Sequence, residues 1–173
     1  MNKHAPSSAA EIKLDAFNRK ILAIVHKQAN ISNAELANRI GLSPSACSQR
    51  TNALRKAGYF KTFTAELDLD RICQNVCAIV EFALERNDVA TRRKFVDVVL
   101  KIPEFADCIR FAGGEMEFAS FVCCSSIAEL DRLCDELSGN TALGIKRVLC
   151  RVVVERPKWF QGYPIAKLKW FGE

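Results

Sequence analysis

Residues 31–60, ISNAELANRIGLSPSACSQRTNALRKAGYF, have the pattern of two short helices joined by a tight turn. Ser32 followed by Glu35 predicts a capping box, in which each side chain accepts a hydrogen bond from the other residue's free backbone N–H. Gly41 is expected to end the first helix, because glycine enters the left-handed conformation without steric cost. The first helix should therefore be brief and sharply bounded.

The second helix follows almost at once. Ser43 is the predicted N-cap, and Pro44 suits the first helical position, where a backbone N–H is not needed. The helix should run to about Ala57 and end at Gly58, and it contains no Asp or Glu. A connection this short is typical of the helix-turn-helix.

The helical period divides the second helix into two faces. Cys47, Thr51 and Leu54 form a narrow inward stripe. The opposite face is polar and neutral or cationic, as suits base edges and phosphates. We take as DNA-binding candidates Ser43, Ser45, Ser48, Gln49, Arg50, Asn52, Arg55, Lys56 and Lys61.

These candidates have different expected roles. Gln49 and the short polar residues around it are candidates for contacts in the major groove. Arg55 and Lys56 come late in the helix, where phosphate contacts are more common. Arg50 lies at the edge of the buried stripe, so a phosphate contact and an intradomain pairing both remain open. A solvated surface helix, or a helix pair that contacts protein, is the alternative to DNA binding.

Charge divides the chain into regions. Residues 1–64 hold ten Lys or Arg against three Asp or Glu, residues 65–143 hold eight against fifteen, and residues 144–173 hold seven against two. A basic first third beside an acidic middle predicts two domains with different partners, and nucleic acid suits the first. No apolar run is long enough for a membrane span and no signal peptide is evident, so we expect a cytoplasmic protein. The predicted DNA binding would associate it with the nucleoid.

The eight cysteines could indicate disulfides or a metal site. However, no CxxC pair is present, and both histidines lie far from the cysteines. We therefore predict reduced, buried thiols that act as small hydrophobic residues, with redox sensing and zinc binding as weaker alternatives. Cys123 and Cys124 are adjacent in a predicted strand and should point to opposite faces. We expect neither a metal nor another cofactor.

Apolar periodicity predicts a further helix over residues 14–27, before the helix pair. Alternation over residues 59–67 predicts the strands of a small wing, which would carry Lys61 to the phosphate backbone. Residues 14–64 are thus predicted to form a winged helix-turn-helix. Residues 1–13 should be a loose arm, and the acidic stretch 65–75 a linker.

Residues 76–156 show the order βαββαβ. Strands are predicted over residues 76–84, 105–111, 118–124 and 144–155, with helices begun by Asp88 and by a Ser126/Glu129 capping box. This α+β arrangement is ferredoxin-like, with both helices on one face of the sheet. The other face of the sheet must also be covered, and a second subunit is the simplest way to cover it, so we expect a homodimer.

The remaining residues, 157–173, combine aromatic and basic side chains. Such a tail suits packing at an oligomer interface or stacking on bases. The C-terminal half contains no His, no Ser–His–Asp or Cys–His set and no phosphate-binding loop, so catalysis is not expected. The alternative function is an amino-acid-binding or protein-interaction module whose helix pair does not read DNA.

Taken together, the two halves resemble the Lrp/AsnC (feast/famine) family of prokaryotic transcriptional regulators. LDAFNRKIL, ISNAELANRIGLSPSACSQR and LRKAGYF carry the resemblance in the first half. The second half resembles the family's small-molecule-binding RAM domain. The resemblance implies DNA binding as dimers that assemble into octamers, and control of amino-acid metabolism or transport genes.

An effector site is also implied by the resemblance. GGEMEFASFV stands where family members carry a TGxYD-type hairpin, near which amino-acid effectors bind between dimers. On this correspondence Gly113 replaces Thr and Glu117 replaces Asp. The effector-binding candidates are Gly113, Gly114, Glu115 and Glu117. A hairpin turn with solvated carboxylates is the simpler alternative.

Overall fold

The computed structural model describes residues 12–63, 65, 67–158, 160 and 162–170, and the predicted arm lies almost wholly outside them. The chain forms two compact units, one of Met1–Glu66 with Trp159–Glu173 and the other of Leu67–Lys158. None of the described helices has the length and apolar character needed to cross a membrane.

The described part of the first unit contains three α-helices: α1 (Ala16–Lys27), α2 (Asn33–Ile40) and α3 (Pro44–Lys56). Ser32 and Ser43 cap α2 and α3 as predicted, accepting from the amides of Glu35 at 3.1 Å and Ala46 at 3.3 Å. Gly41 is left-handed with φ 76°, which turns the chain between α2 and α3. The helix-turn-helix is therefore confirmed.

Only half of the predicted capping box at α2 forms among the described residues. The Glu35 carboxylate pairs with Arg39 one turn along the helix, rather than turning back to the Ser32 amide. Two exposed side chains of opposite charge four residues apart meet readily on a helix surface, which explains the difference.

The core of the first unit joins all three helices. Cys47 and Leu54 are fully buried, as their predicted inward stripe requires. Their buried partners on α1 and α2 are Ile21, Leu22, Val25, Leu36, Ala37 and Ile40.

The strands expected for a wing are absent from the described part of residues 59–67, which is irregular. Instead, the Phe60 and Phe63 rings lie 5.3 Å apart, and Phe63 lies against the Arg55 guanidinium. Aromatic contacts with α3 thus take the place of strand pairing. Lys61 is exposed.

The second unit has the order β1 (Val76–Leu84), α4 (Val89–Val99), β2 (Ile109–Arg110), β3 (Phe118–Cys124), α5 (Ile127–Gly139) and β4 (Ile145–Val152). Its antiparallel sheet has the strand order β2-β3-β1-β4. The ferredoxin-like prediction is confirmed, and β1 and β3 have the predicted bounds.

The predicted strand over residues 105–111 shrinks to the two residues of β2 and an isolated bridge between Phe105 and Val122. The reason lies at Asp107, whose carboxylate accepts from the Phe121 amide at 2.8 Å. The Asp107 carboxylate thus takes up the Phe121 N–H, which in a regular sheet would donate to a backbone carbonyl of the neighbouring strand. The strand predicted over 144–155 likewise ends earlier, at Val152.

Three phenylalanines form the centre of the second core. Phe82, Phe95 and Phe118 are at most 1% exposed. The Phe95 ring lies 5.0 Å from Phe82 and 4.7 Å from Phe118. Both α4 and α5 pack on this face of the sheet. The opposite face, here called the open face, carries the alternate residues Cys77, Ile79, Glu81, Phe121, Cys123 and Leu149.

Candidate nucleic-acid interface

The outward side of α3 has the predicted character. Ser45, Gln49, Asn52 and Lys56 are exposed, and Ser48 is half-buried. No acidic side chain lies on the helix, and its last turn carries Arg55 and Lys56. The helix therefore presents a polar, cationic surface to solvent.

At the start of α3, Ser43 acts as the N-cap. Its Oγ accepts from the Ala46 amide and lies 3.1 Å from the Ser45 Oγ. At the other end, Arg55 donates to the Asn52 Oδ1 at 3.4 Å. Ser48, Asn52 and Arg55 line a recess of about 220 Å³. Gln49 lies outside this recess and makes no hydrogen bond to any described residue.

Arg50, for which two roles were open, makes an intradomain contact. Its Nη1 donates to the Asp15 carboxylate at 2.7 Å and to the Asn18 Oδ1 at 3.1 Å. The guanidinium also lies 5.4 Å from the centre of the Phe17 ring. Arg50 thus connects α3 to the start of α1.

The acceptors for Arg50 are themselves held in place. Asn18 is 5% exposed and donates from Nδ2 to the Lys13 carbonyl at 2.8 Å. The Asn18 backbone N–H donates to the Asp15 carboxylate. This hydrogen bond is the main cause of the lowered pKa of the Asp15 carboxyl, and the Arg50 guanidinium lowers that pKa further. Sequence reasoning missed this role for Asp15 and Asn18, although a polar residue inside an apolar stripe was the available signal.

The C-terminal strap, defined as residues 160 and 162–170, packs on α1 of the same chain. The Tyr163 amide donates to the His26 Nε2, and the two rings stack 5.4 Å apart. Trp170 packs against the first core beneath the Arg19 guanidinium. The sequence predicted an interface for these aromatic residues but not this partner.

Replacing Gly162 with alanine should detach the strap from His26. Gly162 has φ +86°, and a Cβ there would lie 2.8 Å from the His26 Nε2. We expect tryptic cleavage after Lys167 and Lys169 to accelerate about tenfold, because the opened strap is exposed more often. The His26 imidazole NMR signal should shift as its hydrogen bond is lost.

Gly113→Ala is the matched control, since Gly113 has φ +89° but open space around the added Cβ. Both variants carry the same backbone strain, so only crowding at His26 separates them. Equal cleavage rates for the two variants would contradict the role given to Gly162.

In the hairpin, the four effector candidates have different environments. Gly113 and Gly114 are left-handed, with φ 89° and 86°. Glu115 is exposed and pairs with Arg147 at 3.2 Å. The Glu117 Oε2 accepts from the Leu84 amide at 2.7 Å. One Glu117 oxygen therefore caps the end of β1, in addition to any part in ligand binding.

The cysteines are less buried than predicted. Cys47 and Cys124 are buried, Cys73 and Cys150 are exposed, and the other four are half-buried. Cys123 and Cys124 do lie on opposite faces of β3, as expected from strand alternation. Among the described residues, no group of His, Cys, Asp and Glu side chains is arranged to hold a metal ion.

Comparison with known proteins supports the helix-turn-helix independently. The family model described as winged helix-turn-helix DNA-binding matches residues 14–61. The transcriptional regulator AzlB of Bacillus subtilis is 31% identical over 132 residues, which cover 76% of this chain and 84% of AzlB. The leucine-responsive regulatory protein of Escherichia coli is 33% identical over 100 residues, covering 58% of this chain and 61% of that protein.

Solved structures share the fold of both halves. A Neisseria meningitidis transcriptional regulator in complex with L-Met has a TM-score of 0.77 at 22% identity, over 88% of this chain and 97% of that one. An AsnC family transcriptional regulator from Agrobacterium tumefaciens has a TM-score of 0.76 at 24% identity, with the same coverage. All four proteins are described as regulators, and none as an enzyme.

Proposed function

The chain belongs to the Lrp/AsnC family of transcriptional regulators, whose DNA-binding element is a helix-turn-helix. From this we propose that it binds specific double-stranded DNA sites as a homodimer that assembles into an octamer. We further propose that an amino acid modulates this binding and that the targets are genes of amino-acid metabolism or transport. The site of action would be the nucleoid.

The exposed, acid-free face of α3 is the observation that carries the DNA-binding proposal. The Ser43 cap and the Arg50 contact fix this helix to its unit, while Gln49 projects from it. A helix held in this way can enter the major groove, where Gln reads the N6 and N7 edge of adenine. Lys56 and Lys61 are exposed and suit phosphates beside the groove.

The open face of the second unit supports the dimer proposal. Ile79, Phe121 and Leu149 lie there, opposite the face that α4 and α5 cover. A second copy would cover these side chains symmetrically. It would also place two recognition helices on half-sites about 34–36 Å apart.

The hairpin supports an amino-acid effector by its chemistry. Left-handed glycines expose backbone N–H groups that suit a carboxylate, while Glu115 and the second oxygen of Glu117 suit an ammonium. The structural relative in complex with L-Met makes methionine a natural first ligand to test. In this chain, Met116 lies where the family carries an aromatic residue.

Selection of bound genomic fragments, with and without an amino-acid pool, tests the DNA-binding and effector proposals. The selected fragments should share a motif, and their retention should fall steeply with salt as phosphate contacts are lost. Salt-independent retention, or no common motif, would favour the module that does not read DNA. If no amino acid changes either the bound set or the thermal melting, the effector proposal fails while DNA reading stands.

Replacing Gln49 with alanine should relax sequence preference at one base pair by about 1–3 kcal/mol. The reason is that the exposed amide would no longer bridge a base edge. Binding-site selection with the variant measures the effect. Gln74→Ala removes an exposed glutamine from the second unit and serves as the control. An unchanged motif for Gln49→Ala would exclude the base contact.

A further inference from the structure

Two cysteine side chains meet on the open face. Cys77 of β1 lies directly opposite Cys123 of β3 in the strand register. Their Sγ atoms are 3.6 Å apart. Both thiols are half-buried in the single chain, so small molecules can reach each of them before a second copy covers the open face.

The backbone at this pair suits a cross-strand bond. The Cys123 amide donates to the Glu104 carbonyl, and the Cys77 carbonyl accepts from the Val153 amide. Cys77 and Cys123 therefore form a non-hydrogen-bonded pair, for which the Cα separation is about 4.5 Å. That separation falls within the roughly 4.4–6.8 Å that a disulfide spans. Rotation of the side chains, without movement of the strands, can bring the sulfurs into bonding distance.

We propose that Cys77 and Cys123 form a reversible dithiol site, which a hydroperoxide closes to a disulfide and a small thiol reopens. This inference concerns the second unit and does not depend on the proposed DNA binding. It assigns chemistry to two of the thiols that the sequence alone indicated were packing residues.

The reaction balances with hydrogen peroxide as the oxidant. The Cys123 thiol attacks one peroxide oxygen, the O–O bond breaks, and one water leaves as Cys123 becomes a sulfenic acid. The Cys77 sulfur then attacks the Cys123 sulfur, and the second water leaves. Two thiols are oxidised to one disulfide, and one peroxide is reduced to two waters.

The order of attack follows from the environment of Cys77. Burial, followed by the neighbouring Cys123 thiol, raises the pKa of Cys77 to about 11. Cys77 is therefore protonated at neutral pH, which disfavours it as the first thiol to attack the peroxide, because the thiolate is the reactive form. In the second step the Cys77 proton leaves with the hydroxyl of the Cys123 sulfenic acid as water. The Cys77 Sγ lies 3.4 Å from the Asn75 Oδ1 and 3.6 Å from the Cys123 Sγ, so its single S–H can donate to either acceptor.

Other cysteines offer controls and a competing pair. Cys73 and Cys150 are exposed and lie outside the proposed pair. Burial and then Cys150 raise the pKa of Cys134 to about 12, so Cys134 and Cys150 are also near each other. Any test must distinguish the two pairs.

The full-length reduced protein should be treated with a small excess of hydrogen peroxide and mapped by mass spectrometry. We expect the loss of two hydrogens, one peptide pair linking Cys77 to Cys123, and full reversal by dithiothreitol. The bond closes a loop across 46 residues, so the second unit should melt on the order of 10 °C higher. Cys77→Ser and Cys123→Ser should each abolish these changes, whereas Cys73→Ser and Cys150→Ser should not.

Linkage of Cys134 to Cys150, or oxidation confined to single exposed thiols, would overturn the assignment. Phenylarsine oxide, which bridges two neighbouring thiols with loss of water, gives a second test that needs no variant. It should form one adduct with the reduced protein and protect Cys77 and Cys123 from alkylation. Protection of any other pair, or no adduct, would also exclude the site.

Discussion

Replacing Arg50 with alanine should destabilise the first unit by about 1–3 kcal/mol and weaken DNA binding about tenfold or more. The change removes the donor to the Asp15 carboxylate and leaves the nearly buried Asn18 Oδ1 without this partner. The anchor between α3 and the start of α1 is lost, so the recognition helix is held less firmly. Urea unfolding and DNA retardation measure the two effects.

Arg39→Ala is the matched control. Arg39 pairs with Glu35 on the exposed surface of α2, at the helical spacing of four residues. Such pairs contribute only a few tenths of a kcal/mol. Equal stability loss in the Arg50 and Arg39 variants would show that the Arg50 contact is not an anchor.

A salt titration separates anchoring from direct DNA contact. If Arg50 acts only by positioning α3, its variant should keep the wild-type dependence of affinity on salt. If Arg50 also bound a phosphate, the slope would fall by about one. A double-mutant cycle with Asp15→Ala should show coupling, since the two side chains interact directly.

Replacing Phe82 with alanine should cost about 3–5 kcal/mol of the free energy of unfolding of the second unit. Phe82 is fully buried in β1, and its ring lies 5.0 Å from Phe95 and 6.1 Å from Phe105. Removing it opens a cavity at the centre of the aromatic cluster. A loss of this size is a large share of the stability of a small domain.

Chemical denaturation followed by circular dichroism measures the loss. Phe111→Ala is the control, because Phe111 is 42% exposed and its removal should change stability by no more than about 0.5 kcal/mol. Similar midpoints for the two variants would contradict the core assigned to Phe82. If Phe82→Ala abolished the response to an amino acid without lowering the melting temperature, Phe82 would have a role beyond packing.

Features governed by neighbouring residues were predictable. The caps at Ser32 and Ser43 and the turn at Gly41 each depend on residues within four positions in the chain. Strands β1 and β3 were bounded correctly because both are long, apolar and sharply interrupted. Along α3, the buried and exposed faces followed from helical period alone.

Features governed by distant residues were not predictable. Arg50 meets Asp15 across 35 positions, His26 meets Tyr163 across 137, and Cys77 meets Cys123 across 46. Composition and period say nothing about which of several possible partners a side chain reaches. The wing strands expected over residues 59–67 are absent from the described part of that segment for the same reason, since Phe63 packs beside Arg55 instead of a neighbouring strand.

The sequence by itself determined that this protein carries a capped helix pair with a cationic, acid-free second helix, followed by a βαββαβ domain. Local propensity and periodicity are sufficient for that, because they act within a few residues. Only the tertiary structure decided that Arg50 anchors the helix, that the C-terminal strap lies on α1 and that two thiols meet on the open face. Those contacts depend on the closeness of residues far apart in the chain, which packing alone creates.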